Sequence, residues 1–132
     1  MDAKSAVSAK FPKREKISSA IEIEKVHSTG AQSFVHPFKV YVLEKEEQTF
    51  DRLAITVPKR LFKLAVSRNL IKRRVREAYR LNKRYPGKRG LIATEMKNYD
   101  IFLVYISKKE LSFKVINKAV TEILDSIDGE KE

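Results

Sequence analysis

The chain of 132 residues contains no cysteine, only two histidines, four glycines and four prolines. Without cysteine there are no disulfides and no thiolate metal site, which fits a reducing compartment such as the cytoplasm. His27 and His36 stand in different segments without metal-ligand spacing. Each reads as a surface or half-buried imidazole. None of the four glycines belongs to a phosphate-cradling loop. The acidic clusters Glu44/Glu46/Glu47 and Asp125/Asp128/Glu130/Glu132 read as a loop and a tail, not as paired carboxylates in a cleft. No apolar run approaches the roughly 20 residues that span a bilayer. Residues 1–10 lack the apolar centre of a secretory signal and are expected to be a disordered tail. No internal repeat is visible, and no catalytic constellation is recognisable. If the chain serves a reaction, another molecule supplies the chemistry.

Basic charge is abundant instead. The chain holds 28 Lys+Arg against 17 Asp+Glu, a net charge of +11. Residues 59 to 90 hold 13 of the basic residues and a single acidic one, Glu77, so the remainder is close to neutral. A single-sign field confined to one element attracts a structured polyanion and steers its approach.

The arrangement within that segment is helical. At roughly 100° per residue, Arg68, Lys72, Lys83, Arg76, Asn69, Arg80, Arg73 and Arg84 share an arc of about 160°. Ile71, Val75, Ala78 and Tyr79 form an apolar stripe beside that arc, suited to packing on a sheet. Ser67 and Asn69 are candidate caps, although apolar residues continue back through Leu61 to Val66. Tyr85-Pro86-Gly87 ends the helix. A solvated charged face would mix signs at i, i+4, and a membrane-surface helix would carry bulkier aromatics. Both remain competing readings.

Elsewhere, Phe11 to Lys16 leads into a short helix capped by Ser18 or Ser19, with Glu22 completing a capping box. Its apolar side is Ile17, Ile21, Ile23 and Val26, and Gly30 stops it. Ser33 to Leu43 reads as strand, with a bulge, break or edge at Pro37 and room for one further strand. Glu44 to Thr49 is a polar loop. Arg52 to Val57 is a second strand, ended by Pro58. Tyr99 to Ile106 is a central strand covered on both faces. Leu111, Val115, Ala119, Val120, Ile123 and Leu124 stripe a closing helix. The expected fold is a single small α+β sandwich, a mixed sheet of about four strands with three helices in the order α-β-β-β-α-β-α. Residues 11–127 form the domain and 128–132 an acidic tail.

The run Ala65-Val66-Ser67-Arg68-Asn69-Leu70-Ile71-Lys72-Arg73-Arg74-Val75-Arg76-Glu77 resembles the Ala-Val-x-Arg-Asn-x-x-Lys-Arg-x-x-Arg-Glu helix, the RNR motif, of the bacterial ribonuclease P protein family. Phe11-Pro12-Lys13-Arg14-Glu15, Phe38-Lys39-Val40-Tyr41, Lys59-Arg60 and Asp100 to Val104 are similar to the family's lead-in, first strands, pre-helix basic pair and last strand. The resemblance covers residues 11 to 127.

It implies a non-catalytic protein component of an endoribonuclease that removes the 5′ leader of precursor tRNA in the cytoplasm. The RNA subunit would hold the active site and the catalytic Mg2+. The implied partners are that RNA subunit and precursor tRNA, with no membrane and no protein partner required. Arg68, Asn69, Lys72, Arg73, Arg76, Arg80, Lys59 and Arg60 would contact RNA. Phe38, Tyr41, Lys59, Ile23 and His27 would line a cleft for the leader, running between the basic helix and the sheet. A left-handed β-α-β crossover is also implied, against the general right-handed preference.

Two departures stand out. Ile23 and His27 replace the aromatics frequent on the family's first helix. The turn Lys59-Arg60-Leu61-Phe62-Lys63-Leu64 is one residue longer than the family's and lacks its glycine, so the basic helix is expected to start earlier or on a reshaped turn. Asn69 has two open roles, reading a base edge or 2′-OH and capping the helix. Phe34 and Phe102 read as core. The alternative function is a general structured-RNA-binding module with no part in cleavage.

Overall fold

The computed structural model describes residues 11–48, 50–84 and 97–129. The expected tails at 1–10 and 130–132 and the loop at 85–90 lie outside the described residues.

A 3-10 turn at Lys13–Glu15 leads into helix α1 (Ala20–Thr29). Ser19 caps α1, its hydroxyl oxygen accepting the Glu22 N–H at 3.3 Å, but the Glu22 carboxylate turns to Arg52 at 3.3 Å instead of closing the expected capping box. Gly30 ends it with an N–H donated to the Val26 carbonyl at 2.9 Å. A Cβ at Gly30 would stand 2.5 Å from that oxygen and 3.0 Å from the Val42 carbonyl oxygen, so the close approach of helix to sheet excludes a side chain here.

The run from Ser33 to Leu43 resolves into two strands, β1 (Ala31–Val35) and β2 (Phe38–Glu44), with His36 and Pro37 as the two-residue turn between them. Strand β3 (Arg52–Thr56), helix α2 (Ala65–Asn82), strand β4 (Tyr99–Tyr105) and helix α3 (Phe113–Gly129) follow. The sheet order is β1-β2-β4-β3. β2 pairs antiparallel with β1 and β4, while β3 lies parallel to β4, so α2 sits within a β-α-β crossover between neighbouring strands.

Strand alternation divides the core into two layers. Phe38, Val40, Leu53, Ile101, Leu103 and Tyr105 face one side and pack on Ile71, Val75, Ala78 and Tyr79 of α2 and on Ile116, Val120, Ile123, Leu124 and Ile127 of α3. Full burial of an aliphatic such as Ile71 or Val75 stabilises by roughly 1.5–3 kcal/mol. Tyr41, Ala54 and Phe102 face the other side, under Ile17 and Val26 at α1. One helix is too small to cover this second face, and part of it stays open.

The two ends of the sheet differ in charge. The β1–β2 turn and the ends of β3 and β4 meet at one end, where the Ile106 N–H donates to the Pro37 carbonyl at 2.9 Å. Lys39, Lys59, Arg60, Lys108 and Lys109 are exposed there. The opposite end is closed by internal ion pairs.

Candidate nucleic-acid interface

Helix α2 begins at Ala65 with Leu64 as its N-cap residue and no side-chain cap. Ser67 and Asn69 are therefore inside the helix, and neither caps it. The glycine-free turn before it brings no earlier helix start. Leu61 and Phe62 donate N–H groups back to the Pro58 carbonyl at 3.1 and 3.3 Å. Phe62 then rests on Tyr105, ring centroids 6.0 Å apart. Arg68 holds this turn: its Nη1 donates to the carbonyls of Phe62 at 2.8 Å and Lys63 at 3.0 Å. The first arginine of the motif thus commits hydrogen-bonding capacity to the fold as well as offering charge.

The basic arc divides by what each side chain touches. Asn69, Arg73 and Arg76 are exposed and Lys72 half-buried, and none has a hydrogen-bond or ion-pair partner among the described residues. Spaced i, i+3, i+4, i+7, they form one outward stripe. Arg80 is engaged by Glu77, Nη2 to Oε2 at 2.6 Å, and that contact holds the Glu77 carboxyl below its ordinary range. Arg74, on the flank, donates to the Leu111 carbonyl at 2.7 Å and ties α2 to the segment before α3.

Lys83 and Arg84 depart from the arc altogether. The helix stops at Asn82, Lys83 takes an extended conformation (ψ 154°), and both side chains turn inward, at 3% and 4% exposure. Lys83 pairs with Glu15 at 2.8 Å. Arg84 pairs with Asp51 and with Asp128, each at 2.7 Å, and lies over the Tyr99 ring at 5.4 Å. Asp128, expected in an acidic tail, is part of α3 and of this lock. Burial pushes the Asp51 carboxyl up, against the opposing pull of the Arg84 guanidinium and the Tyr99 N–H.

The cleft residues also separate. The apolar stripe of α2 packs directly on the sheet among the described residues; the open face is on the α1 side. Tyr41 faces that side, and Phe38, three residues earlier, faces the other. Phe38 is fully buried (0%) with its ring 5.8 Å from Tyr105, so it cannot line a cleft with Tyr41. Tyr41 is itself only 6% exposed, because the His27 ring covers it with centroids 4.7 Å apart. Phe102 lies beside both, 5.8 Å from Tyr41 and 6.3 Å from His27. Ile23 packs half-buried against the same group. Tyr41, His27 and Ile23 are thus brought together, with the imidazole as the exposed ring. Lys59 and Arg60 stand exposed past the end of β3, apart from them, at the basic end of the sheet.

A charge clamp sets the position of α1 over this face. Arg52 on β3 grips Asp100 on β4 through both carboxylate oxygens, at 2.9 and 2.8 Å, and reaches Glu22 of α1 at 3.3 Å. The hydrogen bond to Asp100 raises the Arg52 pKa further, so this guanidinium stays charged. Phe34, expected in the core, is instead 59% exposed on the open face. Its parity was accessible from the tight turn at His36-Pro37, which fixes Val35 opposite Phe38 and hence Phe34 opposite Lys39.

Among the described residues no three His, Asp or Glu side chains form a metal-holding group, and no helix is long and apolar enough to cross a membrane.

The ribonuclease P family model matches residues 11–128. A ribonuclease P protein component from Clostridioides difficile is 30% identical over 120 residues, covering 89% of this chain and 96% of that protein. One from Porphyromonas gingivalis is 32% identical over 120 residues, covering 89% and 85%. The solved RNase P protein of Staphylococcus aureus superposes with a TM-score of 0.67 at 23% identity, over 86% of this chain and 94% of that one. The RNase P protein of Thermotoga maritima gives 0.67 at 22% identity, over 86% and 97%.

Proposed function

Since the chain belongs to the ribonuclease P protein family, whose ribonucleoprotein is the endoribonuclease of tRNA 5′ maturation, we propose that its two faces hold two RNAs. The stripe Asn69, Lys72, Arg73 and Arg76 takes the catalytic RNA subunit, flanked by Arg68, Arg80, Lys59 and Arg60. The open sheet face beside α1, with His27 over Tyr41, takes the 5′ leader of precursor tRNA. The observation that carries this reading is the separation itself: a basic stripe on α2 that is unpaired among the described residues, and aromatic rings on the far side of the sheet.

Arginine forks suit phosphate oxygens, and each neutralised phosphate releases counterions. Asn69 both donates and accepts, which suits a base edge or a 2′-OH. The exposed imidazole of His27, tilted at 53° over the Tyr41 ring, offers an aromatic surface to a nucleobase. Holding both RNAs on one cationic body screens their mutual repulsion and lowers the Mg2+ required for cleavage. The catalytic Mg2+ is assigned to the RNA subunit, as the family resemblance implies. The cytoplasm, where precursor tRNA is processed in bacteria, is the expected location.

The test is cleavage of precursor tRNA by a bacterial ribonuclease P RNA at low magnesium. Protein alone should leave the precursor intact, and protein with RNA should release the leader. Tight RNA binding without any stimulation would favour a general RNA-binding module instead.

A further inference from the structure

Phe34 sits where an exposed phenylalanine needs a reason. It lies on β1, an edge strand with no neighbour on its outer side among the described residues. The register puts Phe34, Lys39, Val104 and Thr56 in one row across the sheet, adjacent to the row Gln32, Tyr41, Phe102 and Ala54. Both rows face α1. Helix α1 covers the second row through Val26 and His27. It leaves the β1 end of the first row open: Phe34 and Lys39 are exposed, and Val104 is half-buried. Lys39 has no ion-pair partner among the described residues, and no carboxylate stands in this row. Lys59, Arg60, Lys108 and Lys109 surround the same end of the sheet.

An apolar ring directly across a strand pair from an unpaired ammonium has the two parts of a single-strand nucleic-acid subsite, a stacking platform and a phosphate contact. We infer that Phe34 and Lys39 form a second nucleotide subsite on the open sheet face, Phe34 stacking one base of single-stranded RNA and Lys39 taking its phosphate. Phe34 is diagonal to Tyr41 across the β1–β2 pair, a spacing of about 7–8 Å. A strand whose base lies on His27 over Tyr41 therefore continues onto Phe34 within one or two nucleotides. This rests on the leader-binding reading and deepens it, since it makes the β1 edge a determinant of how much leader the protein can hold. The cationic surroundings favour a polyanion over a second copy of this equally basic chain.

The chain has no tryptophan, so Phe34→Trp creates a single reporter at the subsite. Titrating precursor tRNA into the F34W protein assembled with ribonuclease P RNA should quench its fluorescence, and mature tRNA should not. Phe34→Ala should weaken binding of precursors with long leaders by about fivefold or more, the lower range for loss of one base–aromatic stack. It should leave a one-nucleotide leader and mature tRNA unaffected. Lys39→Gln should reduce the salt slope for long leaders by about one. Equal quenching by mature tRNA, or F34A binding long leaders as wild type does, would overturn the subsite. So would wild type sedimenting as a dimer and F34A as a monomer with leader binding intact. Failure of the leader reading itself would look different: no precursor would be bound better than mature tRNA, even by wild type.

Discussion

Lys72, Arg73 and Arg76 can be separated experimentally from Lys83, although an angular count on the sequence puts all four on one face. The first three project from α2 without partners among the described residues, and Lys83 is buried against Glu15 at 2.8 Å. Each cation that neutralises a phosphate contributes about 0.7–0.9 to the slope of log K against log salt. Replacing Lys72, Arg73 and Arg76 by Ala, which preserves helix propensity, should therefore lower the slope for RNA-subunit binding by about 2.1–2.7. Over a fourfold rise in salt, wild type should lose about 20- to 40-fold more affinity than the triple variant, a magnitude that follows from the same slope. Glu15→Met with Lys83→Met removes a cation as well, but one already neutralised internally, and apolar replacement of a buried pair is often tolerated. Its slope should match wild type. The assay is anisotropy of labelled RNA subunit at several KCl concentrations and constant magnesium, with circular dichroism to confirm folding. A triple-variant slope within about 0.5 of wild type would refute the assignment of the stripe, given the size expected per phosphate.

Three further outcomes are expected. Gly30→Ala should destabilise the fold by about 1–3 kcal/mol in urea unfolding, the usual cost of forcing atoms into a filled space, since its Cβ would meet the Val26 carbonyl oxygen at 2.5 Å. Arg52→Met should break the clamp to Asp100 and Glu22, cost about 3–5 kcal/mol as buried pairs do when one partner is lost, and weaken leader binding more than RNA-subunit binding. Asp51 has a folded-state pKa raised above 3.8 by burial, so its stabilising contribution is complete below 3.8 and is lost as pH rises through the folded value. The stability of wild type relative to Asp51→Asn should thus grow as pH falls from neutrality, by about 1.4 kcal/mol for each tenfold by which folding strengthens proton binding at this carboxyl. Urea unfolding across pH checks this, and a difference that shrinks on acidification would mean that Arg84 outweighs burial.

Legibility in the sequence followed the range of the interactions. Helix α2 was legible because its period is local: Ile71, Val75, Ala78 and Tyr79 recur every three or four residues, and all four are buried as that spacing requires. The Ser19–Glu22 cap and the Gly30 stop are equally local. Lys83 and Arg84 misled because their partners Glu15, Asp51 and Asp128 are distant in the chain, and because the helix ends before the Pro86-Gly87 pair that marks its limit in the sequence. Phe38 and Tyr41 look alike as stacking aromatics until strand parity sends them to opposite faces. Phe34 looks like core until β1 proves to be an edge strand beyond the reach of α1. Composition says that a residue is able to bury or stack; only the sheet order says which it does.

The absence of cysteine makes the two-face account directly measurable. Single-cysteine variants at Glu77, beside the α2 stripe, and at Gln32, beside Phe34 on the open face, can each carry a short photo-crosslinker in the assembled holoenzyme with 5′-labelled precursor tRNA. The account predicts crosslinks from position 77 to the RNA subunit and from position 32 to the leader. Leader crosslinks from position 77, or RNA-subunit crosslinks alone from both, would contradict it.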